Sequence, residues 1–572
     1  MKKVVCTCAV FLCAVLPAVP RGVALPDGQH PQSFTRQITK TVGAKYLLVL
    51  PAGYAAGTNR WPLLVFLHGS GESGDDLNRV KNNWPRIIDQ HPDFPFLVAA
   101  PQCPNNEWWS EDVPIALVDE LVSAYRVDED RIYVTGISMG GHGAWAAACS
   151  FPDRFAAIAP ICGEYSPDKA AQLRNVPVWA FHGEQDPVVP LQASKDMVDA
   201  AVAAGGDAKL TVFPGVGHDA WPAAYNNPEL FRWMLQHRRG KPKEIAELDP
   251  AEKNFMDLWQ AAYDYQRKNL EPALAVSKKG IMPHMIRRMN PTATPVDEIV
   301  TWILPKGSKW KVTPASQQIS CAPGEIGMLQ FEVGFGGSSG DVFPLPERQS
   351  VIRVGGQEFL KTSKPPELND SFFLAYAPVA KGEPFTNAPA IDGDLSDAAW
   401  SSCKVVTDFR LQDGVSTSAY PTEVRIGYDK AALYFAFRCH QTNLDQLVLN
   451  NSRRDGNLWE DDSVEVFLDH RLDRKNYFHL IVNADGYLFD EIIRDRSWNA
   501  EFEAKTGREK DAWTLELRVP WASLGISRPG PGIKMGLEFV RVRPGPNFET
   551  SQWAPTLGDN HTPTRFGVLE FK

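Results

Sequence analysis

A chain of 572 residues, 44% apolar and 22% charged, is too long for one hydrophobic core, because single cores stop growing near ~250–300 residues. Its composition is that of ordinary globular protein and excludes collagen or a disordered polymer. A net charge of −10, with no long run of one sign, argues against nucleic-acid binding and against an electrostatic tail.

In chain order, Lys2 and Lys3 precede the apolar run VVCTCAVFLCAVLPAV, and small residues ending at Ala24 follow. This is the layout of a secretory signal peptide over residues 1–24, which makes the expected location secreted or periplasmic. The run is short for a bilayer span and is broken by Pro17 and Pro20. No later segment is long and apolar enough to cross a membrane, so no span is expected once the signal is removed. Cys103, Cys149, Cys162, Cys321, Cys403 and Cys439 then remain. An exported chain is able to pair some of them, and their spacing does not give the pairing. No C-x-x-C pair survives, and no metal site is expected.

Residues 25–245 carry the short apolar runs LLVFLHG, FLVAAPQ, RIYVTGIS, FAAIAPICG, PVWAFHG and KLTVFPG, separated by helix-like stretches such as PIALVDELVSAYRV. Continuous apolar strands alternating with helices predict a parallel sheet covered on both faces. Residues 246–302 read as a helical linker, with Asp249-Pro250 as the start signal. Residues 303–365 hold KWKVTP, MLQFEVGF and VIRVGGQEFL between Gly- and Pro-rich turns and predict a small β-sandwich. KTSKPPELND follows as a connector. Residues 377–572 alternate at period two, as in EVRIGY, ALYFAFRC, SVEVFLDH and WTLELRVP. Many short strands with Asp, Gly and Asn turns predict a second, C-terminal β-sandwich.

The chemistry concentrates in the first of these regions. RIYVTG runs into GISMGGHGAW, so that Gly136, Ser138 and Gly140 form G-x-S-x-G. A serine at a sharp strand-to-helix turn projects its Oγ above the sheet, and the flanking glycines let the backbone turn tightly. Asp186 in WAFHGEQDPVVP and His218 in FPGVGHDAW each lie just past a strand end. Their order along the chain, serine then acid then histidine, is the one this arrangement requires. Ser138 is the expected nucleophile, His218 the base that takes its proton, and Asp186 the acid that orients the imidazole. The expected donors to a tetrahedral oxyanion are the N–H of Met139 and that of Ser70, with Gly71 next. His182 competes as base but is better placed to brace the acid loop. Glu184 and Asp219 are alternative acids, and His142 is expected to pack. Trp109 and Trp221 are candidates for the walls of the substrate pocket.

With LLVFLHGSGESGDD, VAAPQCP, VDEDRIYVTGISMGGHGAW and FPGVGHDAW, residues from about 46 to 238 resemble the predicted-peptidase or esterase branch of the α/β-hydrolases, near the polyhydroxybutyrate depolymerase and feruloyl esterase groups. The resemblance implies ester hydrolysis through an acyl-enzyme, with no cofactor for catalysis. Further on, APAIDGDLSDAAW, LWEDDSVEVFLD and NYFHLIVNADG resemble carbohydrate-binding module family 9. That implies a β-sandwich, sugar binding and room for structural calcium. Trp459 and Glu465 match the family's stacking tryptophan and polar glutamate. The family's second tryptophan is missing from GDNHTPTRFG, for which Trp553 or Trp498 are the candidate substitutes; Trp400, Trp513 and Trp521 read as core.

The fold class is therefore multidomain: an α/β-hydrolase domain, a helical linker, a small β-sandwich and a C-terminal β-sandwich. The expected activity is a serine esterase removing acetyl or feruloyl groups from polysaccharide or oligosaccharide esters of plants or algae. Two alternatives stand beside it. One is a prolyl-oligopeptidase-like peptidase or general small-ester carboxylesterase, since substrate choice lives in loops. The other is a carbohydrate-binding protein whose hydrolase domain is inactive.

Overall fold

The computed structural model describes residues 40–274, 281–337, 342, 344–364, 375–544 and 548–572. The expected signal peptide, and most of the expected connector KTSKPPELND, lie outside them. Among the described residues no helix is long and apolar enough to cross a membrane.

The first sheet has seven strands: β1 Tyr46–Val49, β2 Trp61–Leu67, β3 Leu97–Pro101, β4 Val127–Ile137, β5 Ala157–Ile161, β6 Val178–Gly183 and β7 Ala208–Phe213. Their order in space is β1-β3-β2-β4-β5-β6-β7. Only β1 runs antiparallel to its neighbour; the other pairings are parallel. Both faces are covered, and the pleat divides β2 accordingly. Leu64 and Phe66 enter one core, while Leu63, Val65 and Leu67 enter the other. Short helix α1 Ile87–Gln90 follows β2, and α2 Asp112–Ala124, α3 Met139–Ser150, α4 Leu191–Ala203, α5 Trp221–Tyr225 and α6 Pro228–Leu235 follow in turn.

Helix α7, Pro250–Lys268, starts from a capping box in which Asp249 and Glu252 satisfy each other's backbone N–H groups. Its buried stripe of Phe255, Met256, Trp259, Ala262 and Tyr265 has helical spacing. One side of that stripe meets Phe94 and Phe231 of the first domain, the other Val296, Ile352, Val354 and Phe359. The helix is therefore a wedge shared by two domains.

The expected linker over 246–302 does not extend past this helix. Strands β8 Met282–Met289 and β9 Val296–Ile303 occupy its second half and join β10 Trp310–Thr313, β11 Ser316–Cys321, β12 Ile326–Phe335, β13 Glu347–Val354 and β14 Gln357–Lys364. They form two sheets, β10-β12-β8 and β11-β9-β13-β14. The β period of β8 and β9 is blurred in the sequence because polar residues interrupt the inward face: His284, Arg288 and Glu298 are buried beside Ile286, Val300 and Trp302. Arg288 Nε bonds Glu298 at 2.6 Å and its Nη2 bonds Glu271 at 2.7 Å, which compensates the desolvation of those charges.

The C-terminal region holds β15 Val379–Pro384, β16 Arg410–Leu411, β17 Thr422–Tyr428, β18 Ala432–His440, β19 Ser463–Asp469, β20 Phe478–Asn483, β21 Leu488–Ile492, β22 Glu503–Arg508, β23 Ala512–Pro520, β24 Lys534–Arg543, β25 Glu549–Gln552 and β26 Gly567–Phe571. Strand β15 pairs with β26 through one stretch and with β17 through the next, joining two layers. Val424, Phe435 and Trp513 from one layer pack with Val464, Phe539 and Leu569 from the other. The cysteines at 103, 149, 162, 321, 403 and 439 are all buried and unpaired.

Candidate active site

Ser138 sits between β4 and α3 at φ 53°, ψ −116°, a conformation rarely adopted by a residue with a side chain and costly outside a constrained site. Its N–H donates to Ile161 O at 2.9 Å. The turn closes because Gly140 has no Cβ, which would collide with the carbonyl oxygens of Leu67 and His68. The same contact brings the loop after β2 against the turn.

His218 Nε2 lies 2.8 Å from Ser138 Oγ, and His218 Nδ1 lies 2.7 Å from Asp186 Oδ2. The two loops that supply His218 and Asp186 meet at Gly183, where a Cβ would collide with the carbonyl oxygens of Val216 and Gly217. Asp186 has a buried side chain. Burial alone would raise its pKa. Hydrogen bonds from His218 and from the N–H groups of Val189 and Val188 outweigh that and hold the carboxyl below its ordinary value. Burial pushes the neighbouring Cys162 thiol up to about 12, so it stays a neutral thiol rather than a competing nucleophile.

His182 takes the bracing position: it is buried, with Nε2 2.9 Å from Val189 O and 3.1 Å from Asp186 Oδ2, and Nδ1 2.8 Å from Ser194 Oγ. Glu184 accepts the N–H of Gly215 at 3.0 Å and so ties the acid loop to the histidine loop. Asp219 is exposed and His142 Nδ1 bonds Glu164 O at 2.9 Å. Met139 opens α3, and Ser70 opens the single turn Ser70–Glu72 directly after β2. His68 holds this loop, with Nδ1 2.7 Å from Gly69 O and Nε2 accepting the Cys103 N–H at 3.0 Å.

Of the two tryptophans expected to line a pocket, Trp221 lies beside the site. Its ring meets His218 edge-on at 5.7 Å and its Nε1–H donates to Asn83 Oδ1 at 3.2 Å. Trp109 does not line the site: it is 4% exposed, packs where Gly143 of α3 leaves room, and donates to His68 O at 3.0 Å. Its neighbour Trp108 is the exposed ring, 5.3 Å from His142. Sequence alone did not single it out, because the pair Trp108-Trp109 offers no periodicity to tell inside from outside.

The C-terminal region holds a second candidate site. A cavity of about 410 Å³ is lined by Trp459, Glu465, His479, Phe489, Glu491 and Arg496, among others. Arg496 lies over the Trp459 ring at 4.9 Å. Glu465 lies at this cavity and accepts from His479 Nε2 at 3.0 Å, while Glu491 accepts from Nδ1 at 2.9 Å. Burial opposes a charged His479 ring, but these two bonds outweigh it and raise the pKa. From the loop GDNHTPTRFG this cavity receives His561, whose pKa burial lowers to about 4; the ring is a neutral imidazole at neutral pH. Trp553 does not replace the resembled family's second tryptophan. It is 7% exposed, lies over Gly567 and packs against Phe539 in the core between the layers. Trp498 packs on Phe478 instead, and Trp400, Trp513 and Trp521 are buried.

Two buried carboxylates of the sandwich, Asp461 and Asp469, are already committed to protein donors. Asp461 accepts from the N–H groups of Asn450 and Asn451 and from Asn483, and Asp469 accepts from the N–H groups of Arg471, Asp473 and Arg474. Calcium takes six to eight oxygen ligands, and these two aspartates alone do not supply such a set.

Two family models match. Residues 110–228 match the dienelactone hydrolase family and residues 391–572 the carbohydrate family 9 binding domain-like family. The chain is 30% identical over 166 residues to feruloyl esterase B of Piromyces equi, covering 25% of this chain and 30% of that protein. It is 26% identical over 143 residues to a bifunctional acetylxylan esterase/xylanase of Neocallimastix patriciarum, covering 23% of this chain and 20% of that one. It is 26% identical over 210 residues to the poly(3-hydroxyoctanoate) depolymerase of Pseudomonas fluorescens, covering 31% and 74%. The chain thus spans less than half the length of the first two relatives. The stretch holding Ser138, Asp186 and His218 is a dienelactone-hydrolase-type α/β-hydrolase domain, and the C-terminal sandwich is a carbohydrate family 9 binding-like domain.

Proposed function

We propose that the protein is an exported serine esterase that removes acyl groups, of acetyl or feruloyl type, from polysaccharide or oligosaccharide esters. The observation that carries this reading is the continuous relay from Asp186 through His218 to Ser138, at 2.7 and 2.8 Å. In the reaction His218 Nε2 takes the Ser138 proton as Oγ attacks the ester carbonyl, and Asp186 stabilises the imidazolium. The N–H groups of Met139 and Ser70 hold the developing oxyanion. His218 then passes the proton to the leaving alcohol, leaving an acyl-Ser138. Water attacks this acyl-enzyme with His218 again as base, and the free acid departs. The C-terminal cavity binds sugar against Trp459 and Glu465 and keeps the esterase at its polymer, which raises the local substrate concentration. The names of the feruloyl esterase B and acetylxylan esterase/xylanase relatives support the substrate class.

The test is release of acetate and ferulate from arabinoxylan, run beside cleavage of aminoacyl-proline amides, with wild type and Ser138→Ala. Acid release that vanishes in the variant is expected. Amide cleavage without acid release would replace this reading with the peptidase one. No turnover of either class, nor of aryl acetates, would leave a binding protein.

A further inference from the structure

In the floor of the C-terminal cavity, His479 Nδ1 stands 2.9 Å from Glu491 Oε1, and His561 Nε2 stands 3.9 Å from the same oxygen. One ligand atom from each of the three residues falls within a mutual 4.8 Å. They come from β20, β21 and the loop before β26, so no spacing in the sequence announces them. With metal–ligand bonds of ~2.1 Å, neighbouring ligands of a tetrahedral site are roughly 3.4 Å apart. The observed distances of 2.9 and 3.9 Å straddle that value.

The surroundings are those of a ligand set. Each imidazole has its far nitrogen tied to oxygen: His479 Nε2 to Glu465 Oε2 at 3.0 Å, and His561 Nδ1 to Tyr477 Oη at 2.9 Å. Such partners fix the ring and the tautomer of metal-bound histidine. Phe467 stacks on His479 at 4.0 Å and locks its plane. The second oxygen of Glu491 faces Arg496 Nε at 3.8 Å, which leaves Oε1 for an ion. The cavity opens on the remaining side.

We propose that His479, Glu491 and His561 form a site for a divalent transition cation of the zinc class, with the fourth position turned to the cavity for water or a ligand hydroxyl. Two nitrogens and one carboxylate oxygen select against calcium and magnesium. Binding replaces the Nδ1 proton of His479, which leaves to solvent. The inference stands whether or not a sugar enters the cavity.

Titration of the metal-free full chain with Zn2+ alone, followed calorimetrically, and with Co2+, followed by its visible absorption, tests this. One saturable site with tetrahedral Co2+ bands is expected. His561→Ala and Glu491→Gln should each weaken it by ~100-fold, and Tyr477→Phe by ~10-fold. Thermal unfolding of each metal-free variant checks that it folds, and either ligand variant suffices. Absence of saturable binding would overturn the proposal. So would binding that persists unchanged in both ligand variants, because the ion would then sit elsewhere, Cys162, His182 and Asp186 being the other such group among the described residues.

Discussion

Ser138 and His479 both anchor a site, but their surroundings are built differently. Around Ser138 the shape comes from the backbone: a positive φ, a helix N-terminus, and glycines where loops touch. Around His479 it comes from side chains of separate strands, each held by another side chain. A site made of backbone tolerates no added atom but needs few polar partners. A site made of side chains depends on every polar partner being satisfied.

The sharpest break of this contrast is Ser138→Ala, for which ester turnover should fall by ~10⁴ or more while retention on insoluble polysaccharide stays unchanged; loss of both would show that the two sites are not independent. Next, Gly183→Ala adds one methyl group far from the scissile bond and should cost kcat about 10²-fold, because a displacement of ~1 Å in a catalytic group has that effect. Steady-state kinetics beside a melting curve would separate this from simple unfolding. Trp459→Ala should weaken polysaccharide retention about three- to tenfold, read by depletion of protein from solution, and leave hydrolysis of a soluble aryl acetate intact.

The smallest effect concerns Glu538, fully buried in the sandwich. Burial raises its pKa well above 4.5, and the N–H groups of Ala554, Phe539 and Trp553 only partly oppose that. The folded chain thus keeps a proton that the unfolded chain has lost. Its contribution is fully present below about pH 4.5 and fades as pH rises toward the folded value. Glu538→Gln should flatten this, raising Tm by a few degrees more at about pH 8 than at about pH 5. Equal shifts at both would mean the side chain is already ionised.

The three residues that meet in the Asp186–His218–Ser138 relay were legible because each closes a local pattern: Ser138 in its glycine frame, Asp186 and His218 just past apolar strands. The parallel sheet was legible for the same reason. Trp109 misled because tryptophan beside a catalytic segment packs as readily as it lines, and only Gly143 across from it decides. Trp553 misled similarly, with Gly567 as the deciding neighbour. Strands β8 and β9 were unreadable because the partners that make His284, Arg288 and Glu298 tolerable inside, such as Arg348, are distant in sequence. His561 escaped notice because a histidine in a polar loop carries no local signal; its meaning lies in Tyr477 and Glu491.

Helix α7 limits how this protein can be taken apart. Trp259 stacks on Phe231 at 5.5 Å, while the same helix packs against β13 and β14 and its Tyr265 Oη donates to Glu298 of β9 at 3.0 Å. A fragment ending at residue 245 would leave Phe94 and Phe231 bare, an adhesive patch of the kind that drives aggregation. The smallest transplantable block that keeps the α/β-hydrolase domain covered therefore runs on to residue 364, and grafting that domain onto a different module means cutting after the middle sandwich.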